Sequence, residues 1–287
     1  MSDTSNVGIV GFVLGKGFFQ QVVLTLVILT LLFFVFITFE YIMLSVRSLS
    51  GRHIELLPYT VTAEDKQITF EQNPAKPQAV VLPLSNNERT GIEFTYSMYL
   101  YINPSTFTGE DTLYHVLHKG FSTPWPLMGP GLFVRGNSNT LRVIMNTYKN
   151  PYTYMDVENI PIRKWFHVAL VCRKNSLEIY INGNLRKKLP FEGTLPYQNF
   201  QNLILFNPLK FYFEKQPKIA GLTESIRIEG AFRGNMSNLI YLPYAASFTE
   251  IAGLQNKGVS SKTLKKTEDM PPYLIDTYWT TSYQLQE

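Results

Sequence analysis

Four histidines, one cysteine and 22 acidic side chains are the groups from which this chain could build a reactive centre. A retaining glycosidase needs two carboxylates about 5–5.5 Å apart on one face. Glu178 has no acid two residues away, because Ser176 and Tyr180 flank it. Glu224 and Glu229 are five apart and would face opposite sides of a strand. These acids read as solvated strand faces. His115 and His118 are three apart in a stretch that reads as a strand, so they should point to opposite faces and not hold one ion. His53 and His167 complete the four, and His167 reads as a packing residue. Cys172 lies in an apolar run and reads as a small core side chain. No Ser-His-Asp grouping, phosphate loop or zinc spacing is legible.

The elements that would have to position such groups are mostly strands. Residues 165–172 form a continuous apolar run, too short for a typical helix. A polar turn at 173–176 follows, then residues 177–181 alternate, with Leu177, Ile179 and Ile181 on one face and Glu178 and Tyr180 on the other. Asn182-Gly183 is a strong hairpin signal, since a type I′ turn needs positive φ at both positions. Residues 185–189 return as the third strand. Residues 66–71, 79–84, 92–102, 114–120, 132–135 and 141–145 are further strand candidates. Ser247-Phe248-Thr249-Glu250 is a capping box opening a short helix to about Asn256, with Gly258 as the stop.

The run WFHVALVCRKNSLEIYINGNLRKKL at 165–189 resembles the central strands of the laminin-G-like, concanavalin A-like family. FTYSMYLYI at 94–102, YHVLHKG at 114–120, residues 131–146 and GAFRGNMSNLIYLPYAASFTEI at 230–251 follow in the family's order. The resemblance covers about 66–258. It implies an all-β, concanavalin A-like (laminin-G-like) jelly-roll sandwich. Such sandwiches host lectins, glucanases, adhesion modules and structural proteins. The glucanases of this family carry Glu-x-Asp-x-x-Glu or close to it, and nothing here matches. The resemblance also leaves open a calcium ion at the rim, with Asp111 and Asp156 as candidate ligands. The piece SNNERTGIEFTYSMYLYI at 85–102 resembles the opening of laminin-G-like proteins encoded by large DNA viruses of algae and protists.

Before the sandwich, residues 22–39 carry no charge, and about twenty apolar residues at ~1.5 Å rise cross a ~30 Å hydrocarbon core. Residues 18–46 are therefore expected to be one transmembrane helix, with Val22, Leu26, Leu29, Phe33, Phe36 and Phe39 facing lipid. A cleaved signal peptide fits less well: the basic leading region is missing and the apolar run is too long. Arg47 and Arg52 on one side, against Lys16 on the other, favour a cytosol-facing C-terminal domain. The lone cysteine agrees, and the Asn235-Met236-Ser237 sequon is a near-chance match. The expected layout is a short segment at 1–17, the helix, a polar stalk at 47–65 in which Pro58 discourages a continued helix, the sandwich at 66–258 and a tail at 259–287. That tail ends in apolar and aromatic residues that should pack on the domain or another chain.

Composition sets outer bounds. At 45% hydrophobic and 17% charged, the chain is globular rather than disordered. A net charge of +4 without a basic-aromatic groove argues against nucleic acid. The expectation is a non-enzymatic membrane-anchored docking protein without cofactor, a minor capsid or virion membrane protein binding a neighbouring shell. Its contact candidates are Trp125, Tyr152, Tyr154, Phe211, Tyr212 and Trp279, all on aromatic loops or the tail. The alternative is a membrane-tethered lectin that stacks sugars on Trp125, Tyr152 or Tyr154.

Overall fold

A computed structural model describes residues 17–50, 53–76, 79–83, 92–216, 222 and 224–262. Trp279, nearly all of the tail, Arg52, residues 1–16 and the start of the virus-like segment lie outside the described residues. The chain divides at residues 53 and 54 into two units.

The first unit contains one helix, α1 (Phe18–Ser50). Within it, Gln21–Ile42 is long and apolar enough to cross a membrane, and no residue of its most apolar window is buried. Its threonines return their hydroxyls to the helix: Thr25 donates to the Gln21 carbonyl at 2.9 Å and Thr30 to the Leu26 carbonyl at 2.8 Å. That removes the cost of bringing a hydroxyl into an apolar surround.

The second unit is the expected sandwich. Its first sheet holds β1 (Ile54–Thr62), β14 (Gly234–Leu242), β3 (Phe94–Ile102), β8 (Trp165–Arg173), β9 (Ser176–Ile181) and β10 (Asn184–Pro190), in that order. The second runs β12 (Lys210–Phe213), β13 (Ile226–Ala231), β4 (Leu113–Lys119), β5 (Gly131–Arg135), β6 (Thr140–Met145) and β7 (Thr153–Glu158). One edge of β4 is shared. Its start pairs with β13 in parallel, and its end pairs with β11 (Leu203–Leu205), which carries β2 (Ile68–Phe70) beyond it. Between the sheets, Met98, Leu100, Val168 and Leu170 meet Leu132, Val134, Leu141 and Val143. Each such side chain contributes about 1.5–3 kcal/mol when fully buried. The capping box is present, with the Ser247 hydroxyl and the Glu250 carboxylate each serving the other's backbone N–H. It starts α2 (Phe248–Asn256), which packs on the outer face of the first sheet through Ile251.

Three expectations are corrected. Residues 54–62 are not stalk; they are β1, the edge strand of the first sheet. Pro58 was read as a helix breaker in a linker. It sits instead where the β1–β14 register shifts between Leu57 and Thr60, on an edge that tolerates a missing N–H. Residues 79–83 form no strand, although Val80 N–H still bonds the Glu71 carbonyl. The third correction is to the histidine parity. Val116 is an extra residue in β4, between His115 paired with Phe133 and Leu117 paired with Leu132. Val116 and Leu117 both enter the core, and His115 and His118 emerge on the same face.

Candidate functional site: an aromatic and ionic plate on the second sheet

The outer face of the second sheet gathers side chains from four separated stretches. Alternation in β5, β6 and β7 sends Val134, Leu141, Val143, Met155 and Val157 to the core. The residues between them, Arg135, Arg142, Tyr154 and Asp156, then face outward. Arg142 stands directly opposite Asp156 in the β6–β7 ladder. Its Nε and Nη2 donate to the two Asp156 carboxylate oxygens, each at 2.7 Å. Nη1 donates to the Tyr152 hydroxyl at 2.9 Å and to Glu224. Tyr152 in turn donates to Glu224 at 2.9 Å, and Tyr154 does so at 3.3 Å. The guanidinium carbon lies 4.1 Å from the centre of the Tyr154 ring, a cation–π contact. Arg135 bridges Asp156, at 3.1 Å, to Asp111.

Burial alone would raise the Asp156 carboxyl; the hydrogen bonds and charges of Arg142 and Arg135 outweigh it and hold it below the ordinary range. Tyr152 is pushed up, by burial first and by Glu224 second. A bidentate arginine satisfied on every side is rigid, and both neighbouring carboxylates lean on it. Asp156 is thus kept ionised and is unsuited to donate a proton as a general acid would. Asp111 and Asp156, the calcium candidates, both face guanidinium groups, so their charge is already met. Glu178 and Glu224 are not the solvated faces expected. Glu178 is buried between Arg173, Lys188 and Tyr180 on the first sheet, and Glu224 closes the plate.

Beside this network lies an aromatic tier. Trp125 stacks on Phe213 with ring centres 4.6 Å apart and tilts against Tyr152 at 6.3 Å. Tyr152 meets Tyr154 at 5.0 Å, and Phe211 lies parallel to Phe213 at 6.2 Å. Four of the expected contact residues, Trp125, Tyr152, Tyr154 and Phe211, therefore belong to one cluster. Tyr152 is 3% exposed and acts as its floor, whereas Trp125, Tyr154 and Phe211 are half-buried. Tyr212 points the other way along β12 and is exposed. The loop bearing Trp125 is fastened by Asn146. Its Oδ1 accepts from Met128 N–H at 3.0 Å, and its Nδ2 donates to the Pro126 and Pro151 carbonyls.

Under the plate is the histidine pair. Asn207 N–H donates to His115 Nδ1 at 3.0 Å. The His115 proton is then on Nε2, which donates to His118 Nδ1 at 2.6 Å. His118 Nε2 donates on to the Phe121 carbonyl at 2.7 Å. Every ring nitrogen is used, so the pair offers no free lone pair to a metal. Burial moves His118 down to about 4 and His115 well below its usual value. His167, the expected packing residue, is buried with Nε2 at 2.8 Å from Ser97 Oγ, and burial brings it to about 4.

Sequence reasoning missed Arg142, Arg135 and the closing role of Glu224. Opposite charges in neighbouring strands were the available signal. The register that pairs 142 with 156 was hidden because the β6–β7 connection at 146–152 is too long to fix it.

Two packed sheets, antiparallel except for the β4–β13 pair, define a concanavalin A-like sandwich. Residues 76–211 match the model of the concanavalin A-like lectin/glucanases superfamily, and the chain carries a domain of that superfamily there. No curated protein matches. Among solved structures, the receptor-binding domain of botulinum neurotoxin C/D mosaic serotype is similar at 14% identity, over 57% of this chain and 36% of that one, with a TM-score of 0.42. The botulinum neurotoxin serotype D ligand-binding domain, solved with N-acetylneuraminic acid, is 12% identical over 71% of this chain and 50% of that one, at 0.43. A Trypanosoma rangeli sialidase, solved with 2,3-difluorosialic acid, is 16% identical over 57% and 22%, at 0.38. This chain spans half or less of the length of each.

Proposed function

We propose that the chain is a non-enzymatic, single-pass membrane protein whose sandwich docks on a neighbouring protein. The observation that carries this is α1: Gln21–Ile42 is long and apolar enough to cross a membrane, and no residue of its most apolar window is buried. Only a lipid environment satisfies such a surface. The docking face is the plate, where half-buried Trp125, Phe211 and Tyr154 sit over a rigid ionic floor. Rigid aromatic anchors with their polar groups already paired lose little entropy on binding. The bound carboxylates support the non-enzyme reading. Arg47 and Arg52 support a cytosol-facing sandwich, and the resemblance of residues 85–102 supports a minor capsid protein joining an internal membrane to a shell. Co-purification of the full chain with the shell protein, lost in Trp125→Ala/Phe211→Ala, is the expected result. Retention of full shell binding in that variant would remove the plate from the interface.

A second reading rests on the same rings. Half-buried Trp125 beside the Glu224 carboxylate is a geometry on which a sugar could stack and hydrogen-bond, and glycans bound to the neurotoxin domain on a related fold fit it. Binding of the detergent-solubilised full chain to a glycan array, abolished by Trp125→Ala, would favour this reading over protein docking.

A further inference from the structure

We propose that one end of the sandwich is itself a membrane-contact surface, resting in the headgroup–acyl boundary of the bilayer that α1 spans. This rests on the reading of α1 as an anchor. The end in question is fixed by register. Ile54, where β1 begins, pairs with Tyr241, which pairs with Tyr96, then Leu170, Ile179 and Lys187 across the first sheet. The strand β10 therefore ends here, and residues 191–202 fold over this end. Gln198 donates to the Tyr241 hydroxyl at 3.3 Å. From the second sheet, β4 ends here at Lys119 and β6 at Met145, and the loops that follow carry Phe121 and Tyr148. Tyr148 N–H bonds the Leu195 carbonyl at 3.1 Å, and Gly120 N–H bonds that of Asn202 at 3.0 Å.

The loops that meet at this end expose large apolar side chains: Phe200 is 69% accessible, Tyr148 66%, Phe121 43% and Leu195 39%. Tyr148 stands edge-on to Tyr197 at 5.3 Å, beside a groove of about 370 Å³ that Lys149 also lines. The opposite end presents Glu110, Asp111, Asn137, Glu158 and Asn159. An exposed cluster of Phe, Tyr and Leu with a lysine at its rim suits the interfacial zone: rings enter the boundary and the ammonium meets phosphate.

The chain itself names the occupant. Only Gly51, Arg52 and His53 separate the last residue of α1 from Ile54. Four Cα steps reach about 14 Å at most. Ile54 opens the end that carries the apolar loops, and Ile42 closes the apolar span twelve positions before it, so the bilayer is the apolar phase nearest to those loops along the chain.

The test is fluorescence quenching in phosphatidylcholine vesicles, doped in parallel with acyl-chain spin-labelled lipid, which reads Phe33→Cys, and with headgroup-proximal spin-labelled lipid, which reads the sandwich positions. The full chain is labelled at one introduced cysteine; buried Cys172 does not compete. Phe33→Cys reports the anchor, Phe200→Cys and Tyr148→Cys the apolar end, and Asn137→Cys the opposite end. Quenching at Phe33→Cys, Phe200→Cys and Tyr148→Cys, with none at Asn137→Cys, is the expected pattern. Quenching at Phe33→Cys alone overturns the proposal while the anchor stands, and leaves the apolar end to a protein. No quenching at Phe33→Cys overturns the anchor reading and this proposal with it.

Discussion

The two outer faces of the sandwich solve the same problem differently. On the first sheet, Ala169, Val171 and Tyr180 are roofed by Ala246 and Ile251 at the start of α2, and the Tyr99 hydroxyl holds the Gln255 carbonyl near its end. On the second sheet no helix lies over the face among the described residues. Loops, stacked rings and the Arg142 network do the covering, and they leave Trp125, Tyr154 and Phe211 half open. Each face buries a carboxylate beside an arginine: Glu178 with Arg173, and Asp156 with Arg142. In both, burial would raise the carboxyl, and the arginine together with its neighbours, Lys188 and Tyr180 at Glu178 and Arg135 at Asp156, more than reverses it. A helix roof yields a closed face. A roof of rings and charges yields a rigid face that is still accessible, which is what a docking surface requires.

The largest expected effect breaks the open face. Arg142→Ala leaves Asp156 and Glu224 without their shared cation, and loss of one member of such a network costs about 3–5 kcal/mol. Urea unfolding followed by tryptophan fluorescence should show it, and a change below 1 kcal/mol would mean the network is not what holds this face. Next, Ile251→Ala strips the roof of the closed face, with an expected loss of about 2–4 kcal/mol for a buried aliphatic. It should leave plate-dependent binding unchanged. Acid sharpens the comparison, because His118 lies under the open face and His167 under the closed one, each held at about 4 by burial. Below 6.5 the unfolded chain takes up protons that the folded chain refuses. Stability should therefore fall between pH 6.5 and 4 by about 1.4 kcal/mol per pH unit for each such histidine, and then level for that group. A stability curve flat over this window would show that neither histidine is buried neutral. The smallest effect is Ser247→Ala, which removes the α2 cap at a cost of about 1 kcal/mol and should touch only the closed face.

Sequence alone carried the closed face well. Asn182 and Gly183 adopt φ of 49° and 73°, as the Asn-Gly turn requires, and β9 follows the expected alternation, with Leu177, Ile179 and Ile181 in the core. The capping box placed α2 because its signal is local. The open face was less legible, because what builds it is non-local. One extra residue, Val116, reverses every side-chain direction after it in β4, and no pattern in YHVLHKG marks the bulge. Glu224 reaches Arg142 across 82 positions of sequence. Pro58 misled for a related reason: a proline that forbids helix is equally at home in an edge strand, and only the presence of β14 decides between them.

Because three residues separate α1 from β1 in the sequence, and among the described residues β1 has a ladder partner on one side only, a pull on the chain before β1 is borne first by the β1–β14 seam. Near the far end of that seam Thr60 acts as a stitch. Its hydroxyl donates to Ser237 Oγ or the Ser260 carbonyl, each at 2.9 Å, and its N–H bonds the Lys262 carbonyl at 2.8 Å. Under tension the first strand would peel up to that stitch and stop, while the remaining layers kept their shape.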